Sequence, residues 1–462
     1  MSTKDGRTAR PPRLPAAAVL DAGAGSVDFA RVWRPLKRND APTWEIASVD
    51  DASGADWAAA YAALIAALPE MARSAALTLC GMSACIDARI DMHDMAALLR
   101  PDVPAPAAAF AEQLLARAAR GVGGEMRVEW PEGPAWLAGH VRIRTAMGGT
   151  GPHAAWVLST LGAPALLALE DRSEYMLSHL PPDILLAEAD ALVPARCARP
   201  RGERRPEIFI FEYTAGRAVG GVMPPRSSRI IVRFNDPGLE HDAAFDRLTR
   251  ELAGSAGAGL VAGFQCEPPD RLGPAMARVF GMTRAWRAAG LPTIHLELAG
   301  GYVGDTLKRT LAGSVGAITS LGMSQSELLA IEPGDDPLGA MVGLGERYAL
   351  RRVAVHADHW AAAVTLDDPA RERHALMTGC LLASARAAAG IPVTPAALPP
   401  AARFSGVPFP ERRHAGPWQF VACAAPYLAA PATTLGLGDS FTAGCLLGLN
   451  PGTATASARP AA

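Results

Sequence analysis

The residues most able to do chemistry lie near the C-terminus, in the string Thr433-Thr434-Leu435-Gly436-Leu437-Gly438-Asp439-Ser440-Phe441-Thr442-Ala443-Gly444, which runs into the apolar residues 445–449. A glycine-rich turn that opens a helix turns free backbone N–H groups and the positive end of the helix dipole on one point, which suits an anion. Gly436, Leu437 and Gly438 are therefore the expected phosphate cradle. Asp439 is the candidate general base, taking a proton from an attacking hydroxyl during phosphoryl transfer. The plainer alternative makes Asp439 an N-cap and the glycines mere turn formers.

Further upstream, His295 and Glu297 sit two apart in Ile294-His295-Leu296-Glu297-Leu298-Ala299, so on a strand both side chains project to one face. Ser324-Gln325-Ser326-Glu327 before two leucines has the capping-box spacing, which needs no ligand. Two carboxylates beside a phosphate-binding turn would also make a hard-cation site, since Mg²⁺ keeps several waters and takes one or two carboxylates plus phosphate oxygens. His356 and His359 stand three apart, a spacing that specifies no further acidic or cysteine ligand, so a structural role and a metal pair both remain open.

The elements that must position these residues follow from periodicity. Short apolar runs at 163–169, 259–262, 293–298, 353–356 and 420–423 alternate with alanine-rich stretches, the pattern of βαβ units around a mostly parallel sheet. Residues 126–130, 208–213 and 230–234 partly alternate apolar and polar, as strands with one open face do. Their place between the α/β stretches predicts a smaller discontinuous domain laid over the main sheet as a lid. Residues 40–120, rich in alanine and with periodic apolar residues at 57–67 and 107–119, are expected to be largely helical.

Composition excludes several functions. With 462 residues, 50% of them hydrophobic, the chain has length for two to four domains or one large domain with an insertion. Lys+Arg 44 against Asp+Glu 46 leaves a net charge of −2, so no basic field would hold nucleic acid or an anionic membrane. The three lysines, Lys4, Lys37 and Lys308, form no Gly-Lys-[Ser/Thr] step, which excludes a Walker P-loop. Seven scattered cysteines suit reduced thiols in a cytoplasm. The runs 145–169 and 414–438 lack Asp, Glu, Lys and Arg but carry glycine, proline and histidine, so they read as loop, helix and buried strand, not membrane spans. Gly23-Ala24-Gly25-Ser26-Val27-Asp28 breaks off too early for a Rossmann fingerprint.

The C-terminal string resembles the signature of the ribokinase-like superfamily, and its Gly-Leu-Gly-Asp form resembles that of the ADP-dependent glucokinase and phosphofructokinase family. The His-x-Glu strand at 295–297 is similar to another mark of that family. So are Gly322-Met323-Ser324-Gln325-Ser326-Glu327, with Ser324 in place of asparagine, and Ile210-Phe211-Glu212-Tyr213 followed by Pro225-Arg226-Ser227-Ser228-Arg229. The resemblance implies an α/β, ribokinase-like fold: a central mostly parallel sheet flanked by helices, with a smaller discontinuous α/β lid. On that basis we expect a flexible leader over 1–14, a kinase domain over 15–450 with lid segments at about 30–145 and 205–236, and a flexible tail over 451–462.

The same resemblance implies an ADP-dependent sugar kinase that passes the β-phosphoryl of ADP to glucose or fructose 6-phosphate with Mg²⁺ and releases AMP. Glu297 and Glu327 would hold Mg²⁺, largely through water, near Asp439. Ser324, His356, Ala357 and Gly438 would meet the nucleotide. Asp28, Glu125, Gly149, Thr150 and Asp439 would meet the sugar; Thr150 stands where the family has an amide, and Ser26 where Asn-x-Asp has its asparagine. Glu125 leans towards unphosphorylated hexose, whereas Ile208 replaces a histidine of glucose-using members. Arg226 and Arg229 would clamp a sugar phosphate or hold the lid. Small-molecule partners, no nucleic acid, no membrane, a cytoplasmic location and a monomer or small homo-oligomer complete the expectation. The rivals are a ribokinase-like kinase for another small molecule or with ATP, and a catalytically weak sugar- or nucleotide-binding sensor.

Overall fold

The computed structural model describes residues 51–235, 238–409 and 412–452, so the expected leader, Asp28 and the expected tail beyond 452 lie outside the described residues. Helix α1 (Asp51–Ser74) opens the described chain. Its Tyr61, Leu64, Leu68 and Ala72 form one buried stripe at helical spacing. The Tyr61 hydroxyl donates to the Ala424 carbonyl at 2.7 Å, so this stretch belongs with the large sheet described next. Among the described residues, the segment expected as lid from about 30 therefore begins only at the second strand.

Strand β1 (Thr78–Cys80) enters the large sheet, and β2 (Cys85–Asp91), β3 (Gly124–Arg127) and β4 (Arg144–Gly148) enter a small one. Helix α2 (Thr150–Leu161) returns the chain to the large sheet, which receives β5 (Ala165–Leu167), β6 (Leu185–Glu188) and β7 (Ala191–Pro194). The chain visits the small sheet again with β8 (Ile208–Tyr213) and β9 (Ser228–Arg233). Then β10 (Ala258–Val261), β11 (Thr293–Glu297), β12 (Ser320–Ser324), β13 (Arg352–His356), β14 (Trp360–Thr365), β15 (Arg412–Ala415) and β16 (Trp418–Ala424) complete the large sheet. Helices α3 (Pro369–Ala389) and α4 (Leu437–Gly448) pack on it.

Among the described residues the large sheet has 11 strands in the order β15-β16-β14-β13-β12-β11-β10-β1-β5-β6-β7. It is parallel from β13 through β6 and antiparallel at both margins. Parallel strands covered on both faces must be apolar throughout, which is why the runs around 258–261 and 352–356 lack the alternation of a half-exposed strand. Val353 and Val355 face one core and Ala354 the other. The α/β architecture expected from the sequence is thus present, and the run 145–169 holds strand, helix and strand. Among the described residues no helix is long and apolar enough to cross a membrane.

Among the described residues the small sheet has five strands in the order β3-β9-β8-β2-β4, with Ala105–Ala119 packed through Phe110, Ala111 and Leu114 on the face turned away from the large sheet. Contacts to the large-sheet side include these two. Ile208 and Ile210 of the small sheet pack with Leu435, just before the glycine turn. Arg127 of β3 donates to the carbonyls of Gly301 at 2.9 Å and Gln265 at 3.0 Å.

The orientation of α4 is set by its close approach to α3. A Cβ at Gly444 would lie 2.7 Å from both the Gly379 Cα and the Thr378 carbonyl oxygen, so the helices meet backbone to backbone. Gly444→Val is therefore expected to cost about 1–3 kcal/mol of stability by overpacking. A urea titration should show this as a lower midpoint at an unchanged slope.

Candidate active site

The first turns of α2 and α4 open into one cleft between the two sheets, lined by Gly149, Thr150 and His153 from one helix and Leu435, Gly436 and Asp439 from the other. Gly436 is the N-cap of α4 and has φ 70°, a left-handed conformation that glycine adopts without cost. A second constraint acts at the same residue: a Cβ there would lie 2.3 Å from the guanidinium of Arg386. Glycine at 436 thus lets the turn lie directly on a buried cation. Ser440 seals the turn, its backbone N–H and hydroxyl both donating to the Gly436 carbonyl, at 3.0 and 2.8 Å. Asp439 lies inside the first turn of the helix, so it is not the N-cap. Among the described residues no side chain caps α4, which leaves its leading N–H groups for a ligand.

Asp439 is half-buried and accepts a hydrogen bond from Thr150. Burial raises its pKa, Glu297 adds to the rise, and Arg386, Thr150 and Arg229 oppose it. A carboxylate moved upward in this way is better matched to accepting a proton near neutral pH. Arg386, on α3, is itself held down to about 10 by burial, with Asp439 pulling the other way.

On the reverse side of the turn, His356 at the end of β13 lies against Gly438, where a Cβ would approach its ring to 3.3 Å. Its Nε2 is 3.7 Å from Glu297 Oε1. Burial works against the His356 cation, but Glu297 first and then Glu327 and Asp439 outweigh it and raise its pKa. Glu297 Oε2 accepts from His295 Nε2 at 2.8 Å. Burial pushes this carboxyl up, yet His295 and His356 prevail and hold it at about 2. Since a carboxylate only accepts, His295 donates through Nε2, and its Nδ1 meets Ser320 Oγ at 2.7 Å. Arg352 donates to that same Oγ at 3.2 Å and to both oxygens of Glu372 at 2.9 Å. A buried chain of hydrogen bonds from Glu372 to Glu297 thus fixes the strand-end carboxylate. Gly322 leaves room for it, because a Cβ there would lie 2.2 Å from Glu297 Oε2.

Ser324 and Glu327 form the reciprocal capping box: Glu327 Oε2 accepts from the Ser324 N–H at 2.7 Å, and Ser324 Oγ from the Glu327 N–H at 3.4 Å. The Ser324 hydroxyl is therefore engaged with its own helix. Burial raises the pKa of Glu327. Ala357 follows β13 and donates its N–H to the Trp360 carbonyl at 2.9 Å. His359 packs on Tyr427 with ring centroids 4.1 Å apart and meets Ser405 Oγ at 3.2 Å. Among the described residues no group of three or more His, Cys, Asp and Glu is arranged to hold a metal.

Across the cleft, Glu125 of β3 is buried in an ion pair with Arg233 at 2.6 Å. Ile208, Ile210, Ile231 and Leu435 form an apolar stretch of wall, and Arg229 lines the cleft as well. Arg226 does not line it; its side chain lies over the turn at Gly121. Glu297, Glu327, Ser324 and His356 are not in the cleft wall; of these, His356 adjoins the glycine turn from behind, at Gly438, with Glu297 beside it.

Three residues missed in the sequence complete the site. Asp87 of β2 lines the cleft, and burial pushes its carboxyl up to about 7, with Asp439 adding to the rise while Cys85, Arg89 and Arg233 oppose it. Cys85-Ile86-Asp87 follows the first described strand of the large sheet and has the Asn-x-Asp spacing sought at Ser26 and Asp28, which lie outside the described residues. Arg386 carried one sign, a lone cation in Ala383-Ser384-Ala385-Arg386-Ala387. His153 follows Gly149-Thr150-Gly151-Pro152 and carried none.

The conserved region of the ADP-specific phosphofructokinases and glucokinases matches residues 78–333. No curated protein matches. Among solved structures, an ADP-dependent kinase in complex with fructose-6-phosphate and ADPβS superposes with a TM-score of 0.67 at 16% identity, covering 85% of this chain and 98% of its own. The last common ancestor of ADP-dependent phosphofructokinases from Methanosarcinales gives 0.64 at 16%, covering 86% and 98%. A hypothetical ADP-dependent phosphofructokinase from Pyrococcus horikoshii OT3 gives 0.64 at 17%, covering 81% and 97%. At such identities these likenesses establish the fold.

The position of Asp87 generates a pH-dependent stability. Its carboxyl titrates at about 7 in the folded chain and near 4 when unfolded, so the folded state holds the proton more tightly and loses stability as pH rises between those values. Asp87→Asn removes this penalty. Urea unfolding should find the variant matching the wild type near pH 4 and exceeding it by on the order of 1–3 kcal/mol at pH 8; an equal difference at both pH values would contradict the assignment.

Proposed function

The chain belongs to the ADP-specific phosphofructokinase/glucokinase family, a family of carbohydrate kinases, and on that footing we propose that it transfers the β-phosphoryl group of ADP to a hydroxyl of a hexose and releases AMP. The observation that carries this reading is Asp439 in the first turn of α4, held by Thr150 beside the glycine turn and facing the cleft between the sheets. In the proposed step, the acceptor hydroxyl gives its proton to Asp439 as its oxygen bonds to the β-phosphorus, and the bond from that phosphorus to the oxygen of AMP breaks. The N–H groups of Leu437 and Gly438, the dipole of α4 and the buried cation of Arg386 stabilise charge on the moving phosphoryl. His356, at the back of the same turn, supports nucleotide binding there. The contacts of Leu435 and Arg127 with opposite sheets support exclusion of water, which limits hydrolysis of the donor.

Glu297 and Glu327 suit a hard cation in their chemistry. Both are buried or half-buried carboxylates, each with Oε2 in a short protein hydrogen bond. The Glu297 Oε1 is turned to His356 only at 3.7 Å, so coordination through water is the arrangement this donor set supports. Bound there, Mg²⁺ would neutralise phosphate charge and orient the transferring group.

The acceptor reading rests on the cleft wall. Asp87, Glu125, Gly149 and Thr150 supply polar groups for sugar hydroxyls, and Arg229 supports a phosphorylated sugar such as fructose 6-phosphate. The exchange of a histidine for Ile208, with Ile210, Ile231 and Leu435 beside it, favours a second reading, a kinase for a less polar small molecule.

AMP release should be followed with ADP and Mg²⁺ in the presence of glucose, fructose 6-phosphate or neither, with ATP as the alternative donor. Asp439→Asn is expected to lower sugar-dependent AMP formation by roughly 10²–10⁴-fold. Full activity in the variant, or no sugar-dependent AMP from the wild type, would refute the assignment.

A further inference from the structure

His153 sits on α2 one turn after Thr150, so the two share a helix face, and both line the cleft. Its side chain is buried, with 3% of the residue exposed. Arg386 Nη2 lies 3.2 Å from His153 Nδ1. A guanidinium has donors only, so Nδ1 must accept, and the neutral ring then carries its proton on Nε2. Burial together with the nearby cations Arg386, Arg89 and Arg229 drives the imidazole pKa well below its usual value, which excludes the doubly protonated ring. Trp156 lies nearly parallel to the imidazole, with ring centroids 6.3 Å apart and an interplanar angle of 17°. Tautomer and ring plane are thereby both fixed.

Among the described residues the Nε2–H so defined has no hydrogen-bond partner. A buried donor left unpaired costs on the order of 1–3 kcal/mol, so its retention on the wall of a cleft points to a group that pairs with it in the bound state. Arg386 has further tasks, lying under Gly436 and donating to Ser440 Oγ at 3.3 Å. The residue that sets the imidazole tautomer therefore also supports the turn ahead of Asp439.

We propose that His153 is an acceptor-binding residue, a neutral imidazole held by Arg386 as the Nε2–H tautomer that donates a hydrogen bond to an oxygen of the sugar. The proposal rests on the sugar-kinase reading above and adds to it a specificity contact and the cation that enforces its polarity. Because the donor is neutral, it recognises a hydroxyl or ring oxygen without needing a negative charge on the acceptor.

Two measurements on the full chain test it. In ¹⁵N spectra of the histidine rings, with His153→Leu providing the assignment, His153 should remain neutral and protonated at Nε2 from pH 6 to 8. Its resonance should shift when glucose or fructose 6-phosphate is added. An Nδ1–H or doubly protonated ring would overturn the proposal whether or not the chain is a sugar kinase. In steady-state kinetics, His153→Leu should raise the KM for the sugar roughly threefold to tenfold, the loss expected for one neutral hydrogen bond, with the KM for ADP unchanged. His153→Gln, which replaces the donor, should recover most of that loss. Equal changes in both KM values, or no recovery by glutamine, would reduce His153 to a packing residue and overturn the proposal. A wild type inert towards both sugars would refute the kinase reading and with it the acceptor role, while the ring spectrum separately reports the tautomer.

Discussion

The site depends on a buried guanidinium lying under a glycine. Arg386 presses against the backbone of Gly436, so that residue must be glycine both for its left-handed φ and for the space its missing side chain leaves. A desolvated cation is costly unless it is paired. Here its partners are Ser440, His153 and the field of Asp439. Each is a group that the turn or the cleft already requires. The charge that is expensive to bury is thereby made part of an anion site whose other components are helix N–H groups and a helix dipole.

Around this point the two sheets supply opposite kinds of support. The large parallel sheet delivers rigid groups from behind: Glu297 is pinned through His295, Ser320 and Arg352 to Glu372, and His356 is set against Gly438. The hydrogen bonds from Glu372 through Arg352, Ser320 and His295 hold the strand-end carboxylate from behind. The small sheet delivers the facing wall, Asp87, Glu125, Arg229, Arg233 and three isoleucines. Its junction with the large sheet includes the cluster of Ile208, Ile210 and Leu435, the insertion of Ile86 and Met147 into the large sheet's core, and the hydrogen bonds of Arg127.

The electrostatics of the cleft follow from carboxylates and cations sharing a space with little water. Burial raises the pKa of both Asp87 and Asp439, Asp439 adds to the rise at Asp87, and Arg89 and Arg233 at Asp87 and Arg386 and Arg229 at Asp439 oppose it. Asp439 stays within reach of Thr150, and Asp87 is carried to about 7. Both carboxyls are thus moved upward by burial, each against a different set of cations.

The local features of the protein were legible in the sequence because each depends on neighbours along the chain. Apolar runs with no alternation marked the buried parallel strands, the Gly436-Leu437-Gly438-Asp439 turn marked the uncapped helix start, and Ser324-x-x-Glu327 had the spacing of the capping box that forms. What joins residues far apart in the chain was decided only by the fold. Arg386 lies 50 residues before Gly436 and reaches it because α3 and α4 meet at two glycines. His153 acquires its tautomer from that same arginine, and Glu125 meets Arg233 only because β3 and β9 pair. The aspartate sought at position 28 shows the boundary between the two. Cys85-Ile86-Asp87 has the same short spacing, but only the position of β1 in the sheet puts Asp87 on the cleft. A side chain's charge is written in the sequence, whereas its pKa and its partner are set by the surface that folding brings against it.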